Sequence, residues 1–162
     1  MLSPAGVTGE HVLIVTPASC AVIVDDEGDL LFARQARFAA ESEVLEVVKG
    51  GAVAGEAPLE CAKRELREEL DVTAASWQAL GILHEIPSIV APPVSLFLAR
   101  KIEHLLDEAP RVEQIERIEL VRIPADRAIA AAVVGGIDDA VTMAALLRYA
   151  AATGRLRSLG AD

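Results

Sequence analysis

The stretch from Glu56 to Leu70 constrains this chain more than any other. It reads Glu-Ala-Pro-Leu-Glu-Cys-Ala-Lys-Arg-Glu-Leu-Arg-Glu-Glu-Leu and follows a Gly50-Gly51 pair. Pro58 suits the first turn of a helix, where its missing N–H costs nothing. Leu59, Ala62, Leu66 and Leu70 recur at helical spacing and form an apolar stripe. On the same helix Glu65, Glu68 and Glu69 share one adjoining face. Three carboxylates on one face repel one another, and a cation between them relieves the repulsion. Hard divalent cations such as Mg²⁺ take oxygen ligands of this kind. The segment therefore predicts a helix with one stripe on a core and an acidic face turned to a metal and a phosphate. The competing reading is a solvated amphipathic helix whose Glu and Lys/Arg pairs serve solubility alone.

The spacing also suggests roles. Glu65 and Glu69, one turn apart, can grip the same ion. Glu68 can take a second ion or accept a proton from an attacking water. Arg64 lies four residues before Glu68 and four after Glu60, so it can hold Glu68 through a charge-assisted hydrogen bond. Glycines at 50 and 51 let backbone carbonyls approach a metal closely.

A chain of 162 residues, 52% of them hydrophobic, predicts one domain over 1–162 with a sizeable core. Aromatic residues are only 3%, so that core must be built of Leu, Val, Ile and Ala. A net charge of −10 opposes nucleic acid as a partner, because phosphate contacts need Lys and Arg. It also opposes small anionic substrates, unless a metal and local arginines reverse the field. Cys20 and Cys61 are the only cysteines and read as small buried hydrophobes in a reducing compartment. No apolar run reaches the roughly 18 residues of a membrane span, and residues 1–10 lack a secretory pattern. These features predict a soluble cytoplasmic protein with a loose arm over residues 1–9.

Strand-like runs occupy 11–16, 19–24, 30–34, 44–48, 77–85, 94–101 and 117–123. Asp25-Asp26-Glu27-Gly28-Asp29 has the composition of a hairpin turn. Ala-rich helical segments cover 126–134 and 137–151. In the second, Ile137, Val141, Ala144 and Ala145 follow helical spacing, and Arg148 marks a surface edge. The order predicts a mixed α/β domain with helices on a sheet.

The carboxylate segment resembles a known signature. Gly50, Glu56 and the run Arg64-Glu65-Leu66-Arg67-Glu68-Glu69-Leu70, then Asp71 and Val72, are similar to the Nudix box, G-x5-E-x7-R-E-U-x-E-E-x-G-U with U aliphatic. Every defined position matches except the last glycine, which is Asp71. Counting from Gly51, as many members of the family do, would leave the loop one residue short. The resemblance to Nudix hydrolases implies an α/β/α sandwich with a mixed sheet. It implies Mg²⁺, or alternatively Mn²⁺, held by Glu65 and Glu69 with a carbonyl near Gly50, and Glu68 and Glu69 in the chemistry. Asp71 is expected to end the helix in the left-handed region, at a small stability cost.

Further segments resemble the ADP-ribose pyrophosphatase branch. Phe32-Ala33-Arg34-Gln35-Ala36-Arg37-Phe38 is similar to its Arg-Gln-aromatic-Arg segment, with Ala36 in place of the aromatic ring. This implies that Arg34 and Arg37 bind substrate phosphates. Val44 to Gly51 resembles a Glu-Leu-Pro-Ala-Gly segment, which puts Glu46 near the substrate and Lys49 where a small residue is usual. After the box, an acidic residue implied as metal ligand or base is Glu113 or Glu116. The loop from Pro87 to Pro93 is shorter than is usual and resembles relatives acting on several ADP-containing compounds. His84 and His104 could serve as proton donors but are expected in surface or structural roles, and the helix after Gly136 in packing. The resemblance implies hydrolysis of the diphosphate in ADP-ribose or a related compound. The alternatives are a hydrolase of GDP- or UDP-sugars and a weakly active nucleotide-binding regulator. It also implies a homodimer, with residues 11–15 as a pairing strand; charge and hydropathy predict no nucleic-acid or membrane partner.

Overall fold

The computed structural model describes residues 15–104 and 118–158. In chain order these form β1 (Ala18–Val24), β2 (Asp29–Arg37), β3 (Ser42–Glu46), β4 (Val48–Gly51), α1 (Pro58–Leu70), β5 (Val72–Leu83), β6 (Val94–His104), β7 (Glu119–Pro124), α2 (Ala125–Val134) and α3 (Ala140–Ala152). The central sheet runs β3-β2-β1-β6-β5, with β4 also on β1 and β7 also on β2. The β1–β6 pairing is parallel and the others are antiparallel, so the sheet is mixed.

Alternation along the strands creates two cores. On β1, Cys20, Val22 and Val24 face α2 and α3, where they join Phe32, Leu96, Leu98, Ile129 and Leu146. Ala21 and Ile23 face the other way and join Leu31, Val48, Leu66, Leu70 and Val72 beneath α1. Helices therefore cover both faces, giving the α/β/α layers that the resemblance implied. Among the described residues no helix is long and apolar enough to cross a membrane.

The feature that positions the site is a fork in the sheet. One edge of β1 is taken by β6 over residues 18–23. The other edge is divided: Ala18, Ser19, Cys20 and Ala21 pair with β4, while Ile23 and Val24 pair with β2. The chain crosses between these partners at Val47, whose N–H donates to Thr142 Oγ1 at 3.0 Å. The single strand expected over 44–48 is thus two strands, because Leu45-Glu46 follow β2 and Val48-Lys49 follow β1.

Other expectations also shift. The first expected strand falls partly on residues 11–14, outside the described residues, and Val15 and Thr16 are not in a strand. β5 begins at Val72 rather than 77, because Thr73 to Ser76 pair with β6 although they lack an apolar alternation. α3 begins at Ala140 rather than 137. Asp139 caps it, with Oδ2 accepting from Thr142 N–H at 2.8 Å and Thr142 Oγ1 at 2.7 Å, and Ile137 is a buried anchor ahead of the helix. Arg148 is half-buried between exposed Leu147 and buried Tyr149, at the surface edge as expected, and it also reaches across to β5. Its guanidinium donates to Leu80 O at 2.8 Å and Ile82 O at 2.7 Å, on either side of Gly81, where β5 bulges with φ +103.

Asp71 closes α1 with φ 52 and ψ 41, in the left-handed region. Aspartate tolerates that region less well than glycine. Asp71→Gly is accordingly expected to stabilise the protein by about 0.5–1 kcal/mol, read as a higher urea midpoint at unchanged slope.

Candidate active site

Pro58 sits in the first turn of α1, as the sequence predicts. Cys61, Ala62, Leu66 and Leu70 are buried against the sheet, while Leu59 is half-buried. This docking turns the acidic face toward the Gly50-Gly51 end of β4. Arg64 lies at its centre. Its Nε and Nη2 donate to the two carboxylate oxygens of Glu56, both at 3.0 Å. Nη1 donates to Glu65 Oε1 at 2.7 Å and Glu68 Oε2 at 2.8 Å. Nη2 also donates to the Gly51 carbonyl at 2.8 Å. Glu60, which helical spacing offered as a second partner, instead accepts from Lys63 at 2.8 Å. Glu56 also accepts from the Val53 N–H at 3.0 Å, so the loop before α1 folds onto the same guanidinium.

The environment separates these carboxylates. Hydrogen bonding to Arg64 holds Glu56 below the usual range, helped by the Val53 N–H. Burial pushes Glu65 up, against the opposing pull of Arg64. Its carboxylate lies directly over Gly50: a Cβ added there would sit 1.9 Å from Glu65 Cδ. Gly50 rather than Gly51 is therefore the glycine on which Glu65 rests; a Cβ at Gly51 would instead meet Thr16 Oγ1 at 2.7 Å. The Gly50 carbonyl accepts a weak bond from Cys61 Sγ at 3.5 Å. Both thiols are buried and free; burial raises that of Cys61 and pushes Cys20 up to about 12.

Among the described residues no three His, Cys, Asp or Glu side chains converge as a metal-holding group. Arg64 accounts for this, since Glu56, Glu65 and Glu68 gather on its guanidinium rather than on a common point. Glu113 and Glu116 lie outside the described residues. The donors still suit a hard cation. Glu65 and Glu69 are one turn apart on α1, and the glycine under Glu65 leaves room that any side chain would fill.

Gly50 also lines a cavity of about 670 Å³ in the fork of the sheet. Arg37, Glu46 and Lys49 belong to its wall, together with Glu85 and the N-terminal end of α3. Arg37 donates to both oxygens of buried Glu46, at 2.8 and 2.9 Å. Arg34 is not brought there. It lies between Leu45 and Glu119 in the sheet and donates to Glu119 at 3.1 Å. His84 and His104 are exposed and outside the cavity wall. Sequence reasoning did not connect Glu85 or Asp139 with Lys49, though all three meet here. A cap signal, Asp139 three residues before Thr142, was available for one of them.

The NUDIX domain family model matches residues 15–129. No curated protein sequence matches the chain. Among solved structures it resembles one described as the crystal structure of ADP compounds hydrolase, at 24% sequence identity and a TM-score of 0.68, over 90% of this chain and 76% of that one. That likeness shows the fold. The family match covers more than half of the 162 residues and includes both the forked sheet and the carboxylate helix: the chain belongs to the NUDIX domain family.

Proposed function

We propose that this protein is a Mg²⁺-dependent hydrolase that cleaves the diphosphate of ADP-ribose or a related ADP-linked compound, giving a nucleoside monophosphate and a sugar phosphate. The observation that carries the reading is the cluster around Arg64, which gathers Glu56, Glu65, Glu68 and the Gly51 carbonyl beside a cavity of small-molecule size. Family membership supports it, because Nudix hydrolases need a divalent metal. The fold likeness to an ADP compounds hydrolase supports the choice of substrate.

In this reading Glu65 and Glu69 hold the cation with the Gly50 carbonyl, and Glu113 or Glu116 completes the set. The cation, when bound, neutralises phosphate oxygens and lowers the pKa of a bound water. Arg64 orients Glu65 through Oε1 and Glu68 through Oε2. Glu68 accepts the proton as the water oxygen bonds to phosphorus and the bridging P–O bond breaks. Arg37, already oriented by Glu46, brings positive charge to the substrate phosphates. The resemblance also supports a cytoplasmic homodimer, and sedimentation giving only monomer at micromolar concentration counts against that state.

The test is a panel of ADP-ribose, NADH, diadenosine polyphosphates and GDP- and UDP-sugars, ranked by kcat/KM with Mg²⁺. The ADP-linked compounds are expected to lead, with activity lost on chelation and restored by Mg²⁺. Turnover of none of them with Mg²⁺ or Mn²⁺ overturns the reading, and so does a lead by the GDP- or UDP-sugars.

A further inference from the structure

Lys49 is the residue of the cavity that its resemblance leaves unexplained. It points from β4 into the fork, with a side chain only 20% exposed. Three carboxylates from three elements surround its ammonium. Glu46 Oε2 on β3 is 3.8 Å away, Glu85 Oε1 beyond the end of β5 is 3.8 Å away, and Asp139 Oδ1 at the start of α3 is 3.6 Å away. Each separation exceeds hydrogen-bond length. The ammonium is centred among acceptors without bonding closely to any of them. Two of the three acceptors are fixed. Glu46 is held by Arg37, and Asp139 uses its other oxygen to cap α3.

A separation of this size lets an oxygen approaching from the side reach both groups. An oxygen about 2.8 Å from both the ammonium and a carboxylate is the apex of a triangle on such a base. A hydroxyl there accepts from Lys49 and donates to the carboxylate, so it satisfies both. Lysine has three donors and faces three carboxylates, so adjacent hydroxyls can be read together. A phosphate does not fit as well. Around Lys49 one ammonium faces Glu46, Glu85 and Asp139, a local excess of negative charge.

We propose that Lys49, with Glu85 and Asp139, determines specificity by reading an unphosphorylated vicinal diol of a sugar in the substrate. This rests on the hydrolase activity proposed above and adds which part of the substrate the cavity selects. The diol is either the distal sugar's or the nucleoside's. Both sugars present the same chemistry, and the substrates of the test distinguish them.

Three substrates serve: ADP-ribose, ADP esterified to a plain alkyl alcohol, and the 2′,3′-dideoxyadenosine form of ADP-ribose. Wild type is expected to favour ADP-ribose over the analogue lacking the recognised diol by about tenfold or more in kcat/KM. In Lys49→Met that ratio falls toward one, with the loss in KM, and Lys49→Arg retains part of it. If Lys49→Met does not fold, Glu85→Gln, whose side chain is 35% exposed, reads the same ratio. A ratio unchanged in the folded variants overturns the proposal, as does equal turnover of all three substrates by wild type. Both results leave the hydrolase reading standing. That reading fails separately, if wild type hydrolyses none of the three.

Discussion

Arg64→Ala is expected to lower the urea midpoint and to lower kcat/KM for an ADP-linked diphosphate by about 100-fold. Both effects follow from one guanidinium serving several acceptors. The Glu65 side chain is 12% exposed and that of Glu56 11%, so neither is well solvated once its partner is removed. Glu68, at 42%, can turn to water and adds little to the stability term. Activity falls because Glu65, Glu68 and the Gly51 carbonyl lose the group that sets their spacing. Acid pH gives a further check. Arg64 holds the folded-state value for Glu56 below its ordinary 4.5. That stabilisation is present above the ordinary value and is lost as pH falls through the lowered one. The stability gap between wild type and Arg64→Ala should therefore narrow as pH falls below about 4.5. Glu69→Gln is the control. It removes a proposed ligand without touching the Arg64 cluster, so it should lose activity with little change in the urea midpoint. A variant Arg64→Ala with wild-type stability and turnover would show that the cluster is a surface ornament.

Parts of this arrangement were legible in the chain and parts were not, for physical reasons. The carboxylate helix announced itself through Pro58 and the Ala62, Leu66, Leu70 stripe, because helix start signals and periodicity are local. The Arg64–Glu68 bond followed from spacing for the same reason. The Glu56–Arg64 pair crosses a loop, and no helical period reports it; only the family resemblance marked both positions. The division of β3 from β4 was hidden because Leu45, Val47 and Val48 form one apolar run, and only the change of partner on β1 separates them. The opening of β5 was missed because Thr73 to Ser76 are small and weakly patterned, and pairing with β6 decides their state. Arg148 was read from a surface position on a helix, yet a long side chain can bury its stem and deliver its donors to distant carbonyls. The cavity was the least legible feature. Lys49, Glu85 and Asp139 are far apart in the chain and meet only because the sheet forks.

Gly50→Ala separates stability from chemistry more sharply. The added Cβ would fall 1.9 Å from Glu65 Cδ and 2.1 and 2.2 Å from its two oxygens. These atoms are the far end of a flexible side chain, so the clash is relieved by rotating Glu65 away rather than by moving backbone. No left-handed φ is involved at this position, and alanine in a strand adds no polar burial. The stability cost is therefore limited mainly to the broken Arg64–Glu65 bond, about 1 kcal/mol. The displaced Glu65 no longer rests over Gly50, and a misplacement of about 1 Å is enough to cost about 100-fold in turnover. The expected variant is folded, melts close to wild type and is nearly inactive at ordinary Mg²⁺. A cycle with Glu65→Gln tests the cause. If Gly50→Ala acts through Glu65, the double variant is no worse than Glu65→Gln alone, because a carboxylate already lost cannot be displaced. Additive losses would mean that residue 50 acts through its own backbone, and Glu65 would then not owe its position to the glycine beneath it.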